Sequence, residues 1–137
     1  MRSEAEQWVR VEERPKLAGM ADVTLYHNQN CSTSRAAKEA VVDAGTEVEI
    51  VQYLKNPLDE AALRELLGKL EDPATDLVRR DGHFKELGLT DADVATEDQV
   101  VEVLTAHPKL MQRPVLVKGK RAIIGRPKDR VPAFLAS

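Results

Sequence analysis

The sequence contains a single cysteine, Cys31, within the polar segment YHNQNCSTSR that runs from residue 26 to residue 35. A free cysteine is usually a small buried apolar side chain. Apolar packing, however, does not explain why this thiol is surrounded by Asn, Gln, Ser and Thr. The alternative is a reactive thiolate, which is the nucleophilic form of cysteine. We therefore predict that Cys31 is a reactive thiol.

The residues on either side of Cys31 predict that it lies where a strand passes into a helix. Three of the four residues in Val23–Tyr26 are β-branched or aromatic, which favours a strand. After the cysteine, apolar residues recur at helical spacing as far as Gly45, a typical helix stop. A helix N-terminus binds anions and lowers a thiol pKa from about 8.5 toward neutrality. The three hydroxyl residues after Cys31 can cap N–H groups or reach an oxyanion. His27 can favour the thiolate by a hydrogen bond or by charge.

The remaining patterns predict one α/β domain with a thioredoxin-like order of elements. A second strand over 46–53 completes a βαβ unit, and a region of helices and turns follows from about 57 to 107, where Thr96 and Gln99 form a capping box. The segment RPVLVKGKRAIIGRP predicts an antiparallel hairpin, and a C-terminal helix ends the chain. The fold prediction is a βαβ plus ββα sheet with a helical insertion between the halves. We predict that residues 20–137 form the domain and that residues 1–19 are a flexible N-terminal appendage.

Composition restricts the classes of function. The 137 residues are 42% hydrophobic and 31% charged with a net charge of -3, which suits one folded domain and gives no reason to expect a nucleic-acid partner. No apolar run of about 18 residues is present, so no membrane span is predicted. One cysteine excludes an internal disulfide and fits a reducing compartment, so we predict a cytoplasmic protein.

Spacing separates the known kinds of cysteine chemistry. A thioredoxin-type C-x-x-C motif needs a second cysteine where Ser34 stands, and the phosphatase loop needs an arginine where Ala37 stands. A cysteine-protease pair with His83 or His107 stays open, although both histidines fit structural roles better. One cysteine and three scattered histidines are a poor zinc set, and no metal is predicted. Cys31 is therefore expected to act as a monothiol.

Four segments together resemble the glutaredoxin-linked arsenate reductase family of the thioredoxin-like superfamily. YHNQNCSTSR is similar to that family's pattern H-N-x-x-C-x-x-S-R. LVRRDGHFKELGL (77–89), HPKLMQRPVLV (107–117) and IIGRP (123–127) follow in the family's order. The resemblance implies a thioredoxin-like fold with a helical insertion. Gln29 and Ser32 depart from the Pro and Gly that the family often has there, which bears on substrate rather than on mechanism.

The resemblance also implies three arginines that hold an oxyanion. By motif they are Arg79, Arg113 and Arg126, with Arg80 an open alternative to Arg79. Arginine suits this task because its planar fork pairs with tetrahedral oxyanions and stays charged. The resemblance further makes Arg113–Pro114 a cis peptide bond that places backbone beside the thiol.

The implied activity is the reduction of arsenate to arsenite through a covalent Cys31–arsenic intermediate, with His27 as second catalytic residue and with Ser34 and Asn28 binding substrate. Glutathione or another small thiol is the expected co-substrate, glutaredoxin is the expected partner, and no bound cofactor is expected. The alternatives are a related monothiol protein without arsenate activity and a redox-responsive regulator that binds RNA polymerase. Such regulators usually carry C-x-x-C and lack the His-Asn pair, so Ser34 and His27–Asn28 disfavour the regulator.

Overall fold

The computed structural model describes residues 22–137, so the predicted appendage at 1–19 lies outside the described residues. The centre of the fold is a four-stranded sheet made of β1 Val23–His27, β2 Val48–Gln52, β3 Val115–Lys118 and β4 Arg121–Ile124. The strand order in the sheet is β2-β1-β3-β4. β1 and β2 are parallel, whereas β1/β3 and β3/β4 are antiparallel. This topology confirms the predicted βαβ plus ββα fold.

Helix α1, Ser32–Asp43, makes the crossover between the two parallel strands. Its buried face carries Ala37 and Val41, the residues at helical spacing in the sequence. The helix stops before Gly45, whose φ of 73° lies in the left-handed region that glycine adopts without strain. The start of α1 is therefore held at the end of β1, where the cysteine lies.

The insertion contains helices and short 3₁₀ turns. The helices are α2 Glu60–Lys69, α3 Gly82–Glu86 and α4 Glu97–Ala106. The predicted capping box is confirmed, because the Thr96 side chain accepts from the Gln99 N–H while the Gln99 side chain accepts from the Thr96 N–H. The prediction of helix and turn alone was incomplete, since Leu70 bridges Ala122 and Val78 bridges Met111 as isolated β-pairs.

The hairpin β3–β4 is confirmed, with Gly119 at φ 64° in its turn. Lys118 belongs to β3, so the turn is shorter than the predicted three residues. Helix α5, Arg130–Ala136, ends the chain.

Side chains on the two faces of the sheet form two apolar cores. Leu116 and Ile123 pack with α1 and α5 on one face, whereas Val115 and Ile124 pack with the insertion on the other. Within residues 22–137, no helix has the length and the apolar run that a membrane span requires. Packing on both faces of the sheet fixes the ends of β1, β3 and β4, and the residues of the candidate site lie at or next to these ends.

Candidate active site

Cys31 occupies the N-cap position of α1, as predicted, and only 9% of its surface is exposed. Its N–H donates to the Asn28 carbonyl at 3.0 Å, and the Asn28 side-chain oxygen accepts from the Asn30 N–H at 2.9 Å. The loop between β1 and α1 is thus closed by its own backbone and by Asn28. This loop holds the sulfur over the first turn of the helix.

Two opposing effects set the pKa of Cys31. Burial raises it, but hydrogen bonds from the backbone N–H groups of Ser34 and Thr33 and from the Arg113 side chain, together with the Arg113 charge, lower it overall. These donors favour the charged form of a thiol. A helix N-terminus and an arginine thus both lie at the thiol, while the reactivity of Cys31 stays a prediction.

Two of the predicted arginines lie at the sulfur. Arg126 Nη2 donates to Cys31 Sγ at 3.3 Å, and Arg126 Nε donates to the Arg113 carbonyl oxygen at 2.7 Å. The Arg113 Nε is buried and has no hydrogen-bond partner among the described residues. A buried donor without a partner is costly, and an anionic ligand at the thiol is a natural acceptor for it. The Arg113–Pro114 peptide bond is cis, as the resemblance implied, and Arg126–Pro127 is also cis.

Arg79 and Arg80 differ in how many of their guanidinium N–H groups already have a partner. Arg80 donates to both the backbone and the side chain of Thr75, to the Val78 carbonyl and to Asp91. Arg79 makes a long ion pair with Asp81, 3.5 Å between Nη1 and Oδ2. Arg79 is therefore the freer of the two guanidinium groups.

His27 contacts Ser34 rather than the thiol. Its Nδ1 lies 2.7 Å from Ser34 Oγ, which also accepts from the Asn28 N–H at 3.0 Å. Since that oxygen accepts from the backbone, its hydroxyl proton is available to the imidazole nitrogen. Burial, with the charges of Lys38 and Arg35, lowers the pKa of His27. The hydrogen bond with His27 thus holds the Ser34 side chain in place, and the backbone N–H of Ser34 lowers the pKa of the Cys31 thiol.

Tyr53, which follows β2, was not predicted as a site residue. Burial raises the pKa of Tyr53, while the Arg113 charge and hydrogen bonds with the side chains of Arg113 and Asn28 oppose the rise, as does the Arg79 charge. Its hydroxyl donates to the Met111 carbonyl at 3.3 Å. Tyr53 is therefore a buried hydroxyl close to Arg113 and to Asn28 of the β1–α1 loop, and the Met111 carbonyl holds it in place. In the sequence its only signal was a polar aromatic residue at the end of an alternating strand.

The fold and the lone thiol at the first helix define a thioredoxin-like protein with one cysteine at its candidate site. The chain belongs to the ArsC family, whose sequence model matches residues 26–134. The predicted family is thereby confirmed.

Three relatives illustrate the similarity. The chain is 40% identical over 111 residues to the uncharacterized protein YfgD of Escherichia coli K12, covering 80% of this chain and 92% of that protein. It is 33% identical over 118 residues to an arsenate reductase of Neisseria meningitidis serogroup A, covering 85% and 100%. The solved arsenate reductase of Vibrio cholerae superposes with a TM-score of 0.73 at 29% identity, covering 81% of this chain and 95% of that one.

Proposed function

We propose that this protein is an arsenate reductase that uses Cys31 as its nucleophile and takes its reducing thiol from solution. The observation that carries the proposal is the pairing of a thiol of lowered pKa with Arg113, whose buried Nε has no partner among residues 22–137. A thiolate beside free guanidinium donors suits a substrate that is both an anion and an electrophile. Family membership and the relatives named arsenate reductase support the same substrate.

In the binding step, Arg113 and Arg126 hold the oxyanion and the first turn of α1 supplies backbone N–H groups. Arg79 is the third arginine of this clamp, because the donors of Arg80 are already used by Thr75, Val78 and Asp91. Arginine forks give paired hydrogen bonds that orient a tetrahedral anion. Ser34 and Asn28 contribute to substrate binding by holding the β1–α1 loop in place around the oxyanion.

In the first chemical step, the Cys31 thiolate attacks arsenic, an S–As bond forms, and one arsenate oxygen leaves as water after protonation. A second thiol then attacks the Cys31 sulfur. The S–As bond breaks with both electrons remaining on arsenic, so As(V) becomes As(III) and the product leaves as arsenite. The two sulfurs are oxidised to a mixed disulfide.

The second thiol comes from another molecule, since Cys31 is the only cysteine in the chain. Glutathione is the proposed thiol, and glutaredoxin resolves the mixed disulfide by thiol–disulfide exchange. Such a cycle needs a pool of reduced thiol, and the cytoplasm is the proposed location. The reaction as written uses no metal and no bound cofactor.

The test is a coupled assay that follows arsenate-dependent NADPH oxidation with glutathione, glutaredoxin and glutathione reductase. Wild type should turn over, and Cys31→Ser should retain less than about a thousandth of that activity while its circular dichroism and melting stay unchanged. A parallel assay with thioredoxin and its reductase identifies the electron donor. Absence of arsenate-dependent turnover with both donor systems would refute the proposed activity.

A further inference from the structure

An open cavity of about 440 Å³ adjoins the candidate active site. Its polar lining consists of Asp72, Asp76, Arg80, Gln112, Arg126 and Arg130. We propose that this cavity binds the small thiol substrate, and that this thiol carries both carboxylate and ammonium groups, the class to which glutathione belongs. The inference rests on the proposed function, because that function requires an external thiol.

Arg126 connects the cavity to the reacting sulfur. Its side chain lines the cavity and also donates through Nη2 to Cys31 Sγ at 3.3 Å. Gln112, the residue before Arg113, lines the cavity as well, and its side-chain oxygen accepts from the Arg113 N–H at 3.2 Å. A molecule bound here therefore lies one side chain away from Cys31. Such a position suits the thiol that must reach the Cys31 sulfur.

One ion pair of the cavity, between Asp72 and Arg130, lies at the start of α5. Asp72 accepts from Arg130 Nη1 and from the Ile124 N–H, both at 2.9 Å. Arg130 Nη1 also donates to the carbonyls of Ile124 and Arg126. These bonds hold the Arg130 guanidinium in place, while its Nε and Nη2 have no hydrogen-bond partner in the part of the chain that is described. Arg130 can therefore offer two oriented donors to a carboxylate.

Asp76 supplies a negative charge to the cavity. Its backbone N–H bonds to Pro73, but its exposed carboxylate has no hydrogen-bond or ion-pair partner among residues 22–137. A free carboxylate suits an ammonium group, just as the two unused donors of Arg130 suit a carboxylate. Glutathione carries groups of both kinds.

The size of the cavity favours a small thiol over a protein thiol. Its volume falls in the range of roughly 300–1,000 Å³ that is typical of small-molecule sites. The lining is predominantly polar, whereas the centre of a protein–protein interface is depleted of charged residues. We therefore assign the cavity to the free thiol and not to the surface of a partner protein.

The experiment measures attack of Cys31 on glutathione disulfide, in which one glutathione forms a mixed disulfide with Cys31 and the other leaves as a thiolate. The uncharged disulfide of 2-mercaptoethanol serves as the reference substrate. Asp76→Lys should slow the reaction with glutathione disulfide by about fivefold, because the reversal removes one attraction to the ammonium group and adds one repulsion, each of the size typical of exposed charge pairs. The reaction with the uncharged disulfide should change less than about twofold. Asp43→Lys, which makes the same charge change outside the cavity, should leave both rates as in wild type.

Equal slowing with both disulfides in Asp76→Lys would overturn the inference, because the change would then act on Cys31 itself. Unchanged rates with both disulfides would overturn it as well. Binding is checked independently with S-methylglutathione, which cannot react: wild type should show saturable NMR shifts around residues 72–80 and 130, and shifts absent there would contradict the assignment. Neither measurement uses arsenate, so the inference and the proposed arsenate chemistry can fail separately.

Discussion

At Cys31, burial and hydrogen bonding act on the pKa in opposite directions, and the hydrogen bonds prevail. A lowered pKa means that at a given pH a larger fraction of Cys31 is thiolate, the reactive form, than for an ordinary cysteine, and that the thiolate is lost as the pH falls through that pKa. Three of the groups responsible, Ser34, Thr33 and Arg113, act directly on the sulfur. His27 acts one step further away, through Ser34.

The first prediction concerns this indirect role of His27. His27→Ala removes the partner of Ser34 Oγ, which should loosen the first turn of α1 and raise the Cys31 pKa. Alkylation of Cys31 by iodoacetamide should therefore slow at pH 7, and the defect should shrink above about pH 9, where a thiol of ordinary pKa ionises unaided. The rate is measured from pH 5 to pH 10.

The control is His83→Ala, since His83 lies in α3 and its ring packs edge-on against His107 rather than against Ser34. The double variant of His27→Ala with Ser34→Ala should be no slower than Ser34→Ala alone if the histidine acts only through the serine. Superimposable profiles of wild type and His27→Ala would show that the histidine has no part in forming the thiolate.

The second prediction concerns the arginine fork. Arg113→Lys and Arg126→Lys keep the charge but lose the planar pair of donors, so kcat/KM for arsenate should fall by about tenfold or more in each. Arg64→Lys, on the exposed face of α2 with acidic partners only, is the matched control and should behave as wild type. Steady-state kinetics against arsenate give the answer. If both site variants match the control, the oxyanion clamp has been assigned to the wrong residues.

At the level of elements, the site depends on how closely the β4–α5 connection packs against β3. The N–H of Gly125 donates to the Pro114 carbonyl at 2.8 Å, and the next residue is Arg126. A Cβ on Gly125 would lie 2.9 Å from Pro114 Cγ, 3.0 Å from Leu116 Cδ1 and 3.2 Å from Val131 Cγ2. A side chain here would displace the β4–α5 connection, which carries Arg126.

The third prediction follows from that packing. Gly125→Ala should destabilise the fold by about 1–3 kcal/mol, the usual cost of overpacking, and should also slow Cys31 alkylation at pH 7 because Arg126 moves. Gly68→Ala is the matched control, since a Cβ at Gly68 within α2 meets nothing within 4 Å and alanine favours a helix. Chemical denaturation and the alkylation rate are measured on both variants. A Gly125→Ala protein as stable and as reactive as the control would disprove the close-packing argument.

The sequence predicted most of the helices and strands correctly. Alternation and helical spacing determine strands and helices locally, which is why the βαβ unit, the Thr96 capping box and the hairpin were predicted correctly. The bridges of Leu70 to Ala122 and Val78 to Met111 were missed, because isolated pairs depend on tertiary packing that has no local period.

Over the whole molecule, the sequence predicted Cys31 at a helix start from its neighbours alone, whereas the arginines came only from the family resemblance. No local pattern places Arg126 against Cys31, since the two residues share a site only because β1 and β4, on either side of β3, end at the same edge of the sheet. Tyr53 was missed for the same reason, because its contacts with Arg113 and Asn28 join three distant segments. A regulator of transcription could share this fold, so the chemistry of the thiol has to decide the function.

The central claim is that arsenate is reduced at Cys31 with an external thiol as reductant. The direct measurement is intact-protein mass spectrometry after anaerobic incubation with arsenate and reduced glutathione, without glutaredoxin, with arsenite determined in the same sample. The account predicts one glutathione bound to Cys31 per arsenite formed, none when arsenate is omitted, and neither product in Cys31→Ser. Arsenite formed by Cys31→Ser at the wild-type rate, or no arsenate-dependent mixed disulfide and no arsenite in wild type, would contradict it.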